Sequence, residues 1–387
     1  MSFNILSLDG GGTWALLEVM ALADMCPGQS GHEILAHFDL AVANSGGSIV
    51  LGGLVLDMTP AQILNFFEDQ TNREAIFYKR PFIEEALSSL PIFPRYVAAQ
   101  KRIGLGQVFG AAGNTTLANW PGVPGWPVGP HGEPVRILIV AFDYDRQRED
   151  FLRSYPVPAT HATSEAIAIV DAVHASTNAP VTFFDAPAMV SPKRYWDGAM
   201  GGYNNPLMAA VVDAIALGIA ADDINALSLG TGTVRLAPPD LVTHATPSEL
   251  VAATPNPSPI GDAGRAAGCI TDDPPDAATF TAHIVLGNNP AAPGRVVRAS
   301  PVVQPIRNAA GEWDYPAGLP ADLFQALAKL QMDAVQAADV QNIQALGQAW
   351  LAGGAPNQPI RMGDDLSCAL GHAQYAQAKN AWLNLPA

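Results

Sequence analysis

Phe3-Asn4-Ile5-Leu6-Ser7-Leu8-Asp9-Gly10-Gly11-Gly12-Thr13-Trp14-Ala15-Leu16-Leu17-Glu18-Val19-Met20-Ala21-Leu22 is the stretch that decides how the chain is read. Residues 3–8 are a short apolar run ended by Asp9 and three glycines, the pattern of a buried strand. Residues 13–22 follow with Ala, Leu, Glu and Met, all good helix formers, and with little alternation, so strand passes to helix across four residues. Consecutive glycines before a helix leave several backbone N–H groups bare and aimed at one spot, which suits an oxyanion or a phosphate equally.

Further along, residues 38–43 form a second apolar strand, and Ala43-Asn44-Ser45-Gly46-Gly47 follows before an apolar helix over residues 49–56. A strand-to-helix turn this tight brings the positions two before and two after the serine together, so both must be small. Ala43 meets that need with some crowding. Ser48 is a rival nucleophile, but Val50 two residues later does not suit the same turn. Thr59-Pro60 opens a helix as N-cap and first helical residue. Residues 135–142 read as a central parallel strand, residues 164–175 as a helix capped by Ser164, and residues 206–218 as another helix. Residues 224–229 return as a strand ending in Gly230-Thr231-Gly232. Strands alternating with helices predict an α/β fold with a mostly parallel sheet. Residues 120–130 and 238–264 are loops or surface insertions by their Pro and Gly content. Residues 321–351 carry helical spacing, as one long helix or two shorter ones. The chain divides into a catalytic core, 1–236, and a C-terminal extension, 237–387, packed on it as part of one domain.

Of the 387 residues 49% are hydrophobic and only 14% charged, which predicts a folded protein with a large core. Thirty-six Asp and Glu against 20 Lys and Arg give a net charge of −16, which argues against nucleic-acid binding. Arg73, Lys79, Arg80, Arg95, Lys101 and Arg102 crowd a stretch that also holds Phe77, Tyr78, Phe82, Phe93 and Tyr96. A lipid-headgroup contact is one reading of it; a solvated helix pair over buried aromatics is the favoured one. Cys26, Cys269 and Cys368 lack metal-ligand spacing and read as buried free thiols. No leader-like or membrane-spanning run is recognisable, so a cytoplasmic location is expected, with signal-less secretion left open.

Asp9-Gly10-Gly11-Gly12, the elbow at Ser45, and Trp196-Asp197-Gly198-Ala199, taken in order, resemble the patatin-like phospholipase family. Its marks are a D-G-G-G-x-x-G segment, a G-x-S-x-G elbow and a D-G-[GA] motif. Ser176-Thr177-Asn178-Ala179-Pro180 before Phe183-Phe184, and Leu227-Ser228-Leu229-Gly230-Thr231-Gly232, resemble it too, and the likeness covers roughly the first three fifths of the chain. The resemblance implies a three-layer α/β/α fold and a serine acyl hydrolase of the phospholipase A or lysophospholipase type. Ser45 is then the nucleophile, Asp197 its partner in a dyad, and the N–H groups of Gly10, Gly11 and Gly12 the oxyanion hole. It implies a lipid or acyl-ester substrate and transient contact with a membrane surface or micelle; no calcium-ligand pattern such as an EF-hand loop is recognisable, so activity without metal or cofactor is expected, and the sequence assigns no oligomeric state. Three positions depart from the pattern: Ala43 for Gly, Trp14 for Arg and Ala15 for Gly. Trp14 reads either as a wall of the acyl pocket or as a plain core residue.

Three other readings compete. An ATP-dependent kinase of the actin-like fold would use Asp9-Gly10-Gly11-Gly12-Thr13 as a phosphate loop, but there the loop joins two strands of a hairpin. An α/β-hydrolase would take His244, His283 or His372 as base, yet Ser45 comes very early for that fold. A non-enzymatic lipid-binding or scaffold protein would keep the motifs without the chemistry. The acidic surface predicts a preference for zwitterionic or neutral lipids over anionic ones, and the 120–130 loop is a candidate lid.

Overall fold

The structure, a computed structural model, describes residues 2–80, 94–156, 166–180, 182–190, 192–234, 246–252 and 274–385. Its main sheet takes eight strands in chain order: β1 (Phe3–Leu8), β2 (Leu40–Asn44), β3 (Arg136–Asp143), β4 (Arg148–Arg153), β5 (Ala188–Val190), β6 (Lys193–Asp197), β7 (Ile224–Leu229) and β9 (Val296–Ala299), with a two-residue β8 (Thr233–Val234) outside it. β1 lies at the centre, parallel to β2 on one side and to β7 on the other. β2 continues parallel to β3, and β7 parallel to β9. Because β9 belongs to residues 237–387, the expected extension supplies an edge strand to the central sheet.

Alternation along the strands sends side chains to two separate cores. Leu6, Leu8, Ala41, Ala43, Ile137 and Ile139 pack with the helices Leu16–Met25, Ser45–Val55 and Ile169–Ser176 on one face. Phe3, Ile5, Leu40, Val42, Leu138 and Val140 pack on the other under the helices Leu207–Ala216 and Pro274–Val285. The result is a three-layer α/β/α arrangement around a mostly parallel sheet, as expected.

One detail of register positions everything that follows. Along one edge of β3, residues 138–143 pair antiparallel with β4. Along the other edge, residues 136–140 pair with β2, ending at Asn44↔Val140, and the next three positions pair with β6, starting at Ala141↔Asp197. β2 leaves the sheet at Asn44, and β6 takes over the vacated edge. Asp197 therefore stands where β2 would have continued, directly beside Ser45.

Several expectations are adjusted. The glycine loop leads into a 3-10 turn, Gly12–Ala15, and the helix Leu16–Met25, while both neighbours of β1 are parallel, so the hairpin demanded by the kinase reading does not form. The elbow helix begins at Ser45 itself, and the helix over 164–175 begins at Ile169; Ser164 lies outside the described residues. Thr59 and Gln62 close a capping box with Pro60 at the first position. Residues 321–351 form two helices, Ala321–Lys329 and Ala337–Leu351, joined by an extended strap at 330–336.

The 120–130 loop is not a lid. Gly129 sits against Phe38 and Asp39, His131 N–H donates to Asp39 Oδ1 at 2.8 Å, and Trp126 Nε1 donates to the Val135 carbonyl. These contacts lie at the start of β2, whereas Ser45 follows its end, about 16 Å away at the rise of a strand. Trp120 and Trp126 are buried because they pack on each other and on His32.

The basic and aromatic stretch departs from the expected solvated helix pair where it is described: Tyr96 is buried as expected, but so are Arg73 and Lys101. Arg73 donates to the carbonyls of Phe67 and Val335, Arg95 pairs with Asp333 at 2.9 Å, and Arg102 pairs with Asp171. Lys101 is fully buried. Phe82 and Phe93 lie outside the described residues, as do most of 238–264, His244 and Cys269. Among the described residues no helix is long and apolar enough to cross a membrane.

Candidate active site

Ser45 has φ +45°, a conformation that side-chain-bearing residues rarely adopt, and it is the first residue of its helix. The turn is held from three directions. Ser45 N–H donates to Ser176 Oγ at 2.9 Å, Ser48 Oγ donates to the Ser45 carbonyl at 2.6 Å, and Gly47 N–H donates to the Asp9 carbonyl at 3.0 Å. A Cβ on Gly47 would lie 2.6 Å from that same carbonyl, and one on Gly46 would lie 2.5 Å from the Gly12 carbonyl. The glycines after the serine are thus needed for the approach of the Asp9–Gly12 loop, and Ala43, at the far end of the turn, packs into the core.

Asp197 accepts hydrogen bonds from the Ser45 hydroxyl, from Ala199 N–H at 2.9 Å and from Asn44 Nδ2 at 3.2 Å. Its own N–H donates to the Asn178 carbonyl at 3.0 Å. Ser45 and Asp197 are only 6% and 4% exposed. Burial raises the Asp197 carboxyl above its ordinary range, and the three hydrogen bonds together with the charge of Lys101 pull it back down. A carboxylate so placed is a stronger base than one in water.

The glycine loop divides its tasks. Gly10 N–H donates to the Asn204 carbonyl at 2.8 Å, so Gly10 has no N–H to spare, and its lack of a side chain serves packing against Asn44, Ser45 and Asn204. Gly11 is pressed against Thr231, whose hydroxyl donates to the Gly10 carbonyl at 2.7 Å. Gly12 has φ +58° and approaches the Met332 carbonyl. Among the described residues the N–H groups of Gly11 and Gly12 have no hydrogen-bond partner within the chain. Of the three glycines expected from sequence as oxyanion donors, Gly10 thus has its N–H already engaged.

Beneath the loop lies a buried ionic cluster that sequence reading did not anticipate. Asp9 pairs with Arg298 of β9 at 2.5 Å, and Arg298 also donates to Ser228 Oγ and Gln358 Oε1. Asp9 N–H donates to Glu18 Oε1 at 2.6 Å. Burial pushes Asp9 up to about 6 even though Arg298 pulls it down, and burial with the neighbouring Asp9 charge raises Glu18 well above its ordinary range. No periodicity marks an arginine so distant as a loop anchor.

Opposite the loop, the strap at 330–336 closes the site. The Met332 carbonyl accepts from Thr13 N–H at 2.9 Å, and Trp14 Nε1 donates to the Gln331 carbonyl at 3.1 Å. Trp14, one of the departures from the family pattern, therefore anchors the strap. Ser45 opens into a small apolar cavity lined by Ile49, Ile76, Phe77, Phe184 and Met332. Its volume of about 20 Å³ is room for roughly one water molecule. On the outer side of the strap a groove of about 480 Å³ is lined by Lys79, Arg95, Lys329, Asp333 and Asp339.

Among the described residues the histidines offer no base here. His283 Nε2 bonds the Asn289 carbonyl on the far face of the sheet, and among the described residues no histidine bonds Ser45.

With this geometry in place, comparison with known proteins identifies both a family and structural neighbours. A family profile described as patatin-like phospholipase matches residues 6–211. Among solved structures the chain is similar to VipD from Legionella pneumophila, at 12% identity and a TM-score of 0.36, over 90% of this chain and 67% of that one. No curated protein matches the chain.

Proposed function

The chain belongs to the patatin-like phospholipase family, and from that premise we propose that it is a serine lipid acyl hydrolase working through a Ser45–Asp197 dyad. The observation that carries this reading is the register at β3, which sets a buried carboxylate against the hydroxyl of a serine on a strained strand-to-helix turn.

The chemistry follows from the atoms. Ser45 Oγ attacks the ester carbonyl carbon and its proton passes to Asp197. The carbonyl oxygen becomes an oxyanion and takes hydrogen bonds from Gly11 and Gly12 N–H, each worth about 3 to 4 kcal/mol in a comparable hydrolase site. As the tetrahedral intermediate collapses, the ester C–O bond breaks and Asp197 returns its proton to the leaving alcohol. Water then attacks the acyl-serine by the same route, releasing the fatty acid and restoring the serine. The apolar cavity supports an acyl chain as the group held at Ser45, its walls parting to admit it.

A fluorophosphonate probe followed by peptide mapping tests the assignment. Label is expected on Ser45 of the wild-type protein and absent from Ser45→Ala. Folded wild-type protein that takes no label, or takes it elsewhere, would remove the dyad. The mixed charges of the outer groove favour a zwitterionic headgroup over an anionic one. Equal binding to phosphatidylcholine vesicles with and without anionic lipid at low salt would contradict that preference.

A further inference from the structure

One buried amine remains outside this mechanism. Lys101, on the helix Ala98–Phe109, is fully buried and makes no ion pair with a carboxylate among the described residues. Its ammonium donates to the His174 carbonyl at 2.9 Å and to Thr177 Oγ1 at 3.0 Å, and it faces the Phe184 ring at 4.4 Å from the centroid. Three donors are thus met by two oxygens and a ring face. Removing an ammonium from water costs several kcal/mol, so a lysine held this way needs a reason beyond filling space.

The reason lies in what its partners touch. The segment 174–178 ends the helix Ile169–Ser176 and reaches both members of the dyad. Ser176 Oγ accepts from Ser45 N–H and donates to Asn44 Oδ1, and Asn44 in turn donates to Asp197. Asn178 accepts from Asp197 N–H. Lys101 grips this segment on both sides of Ser176. Burial pushes the Lys101 amine well below the ordinary lysine range, so its hold on the segment rests on these hydrogen bonds.

We propose that Lys101 is a positioning residue of the dyad: its buried amine ties the 174–178 segment so that Ser45 and Asp197 are held in register. This rests on the dyad reading above. The ordinary structural role of a lysine at a helix C-terminus would stabilise the fold without moving the chemistry.

The test measures the rate of fluorophosphonate labelling at Ser45 across pH for wild type, Lys101→Met and Thr177→Val, with thermal unfolding alongside. Lys101→Met is expected to label at least about tenfold more slowly at neutral pH, as a slightly displaced nucleophile does. Its acid limb is expected at higher pH than that of wild type, because a displaced segment loosens the Ser176–Asn44–Asp197 chain whose last hydrogen bond holds the carboxyl down. Thr177→Val removes one of the two oxygens gripped and is expected to slow labelling about twofold to fivefold. Labelling rates and acid limbs equal to wild type in both variants would overturn the proposal, however much the melting temperature falls. Should Lys101→Met fail to fold, Thr177→Val decides alone: slowed labelling sustains the proposal and a wild-type rate ends it. Folded wild-type protein that takes no label removes the dyad reading, and this inference with it.

Discussion

The wall of the site that carries Ser45 and Asp197 is built from strand ends, and its geometry follows from sheet register and from glycines that let backbone approach backbone. The wall facing it is built from the strap at 330–336 and from Arg298, joined to the glycine loop by single hydrogen bonds and one ion pair across as many as 317 positions. The first wall lies inside the segment that matches the family, and the second lies outside it. A wall fixed by backbone register leaves little room for change without loss of chemistry. A wall fixed by a few polar contacts can vary its lining while the register wall stays unchanged.

Four substitutions press on that contrast. The largest effect is expected on the register wall: Asp197→Asn keeps the hydrogen-bonding shape but removes the proton acceptor, and ester hydrolysis should fall about 10⁴-fold. In wild type the same carboxylate must be ionised to act. Since burial raises its pKa, activity should be full above the folded-state pKa and be lost as pH falls through it, with a midpoint above the ordinary carboxylate range. A pH profile of kcat/KM checks the sign. Next comes Arg298→Met, which leaves Asp9 buried without its counter-charge. Chemical denaturation should show a loss of about 3–5 kcal/mol, although residue 298 lies outside the matched segment. A near-neutral result would mean that the ionic cluster does not join the two walls.

Gly12→Ala strikes where the walls meet, because a Cβ there would lie 2.3 Å from the Met332 carbonyl at a backbone φ of +58°. Displacement of the loop should reduce kcat by about 10²–10³-fold, the scale of a lost oxyanion donor. The smallest effect belongs to the strap alone. Met332→Ala should leave the rate on a short ester within about twofold and raise the relative rate on longer chains, at a stability cost of about 1 kcal/mol. A chain-length profile identical to wild type would show that the strap covers the cavity without shaping it.

The legibility of these features in the sequence divides the same way. The strands at residues 3–8 and 224–229, the elbow at Ser45 and the cap at Thr59 rest on local patterns, and each appears in place. Asp197 was found through its motif, but nothing local could say that β6 takes over the edge of β3. Lys101 was misplaced among solvated basic residues because charge alone does not show burial. The 120–130 loop read as a lid because its aromatic and proline content describes cover without saying which end of the sheet it covers. Gly10 read as an oxyanion donor because spacing cannot reveal that its N–H is already taken by Asn204. Arg298 and Met332 carry no periodic or motif signal, since each acts through one long-range contact.

The Asp9–Arg298 pair also sets an order in time. Synthesis proceeds from the N-terminus, so Ser45 and Asp197 emerge from the ribosome well before Arg298, its supporting Gln358 and the strap that covers Gly12. Until those residues arrive, Asp9 has no buried counter-ion and β7 lacks its outer neighbour. A nascent chain that already holds Ser45 and Asp197 lacks both the loop's counter-ion and the strap over Gly12, and gains them only when residues 298–336 fold back onto residues 9–14.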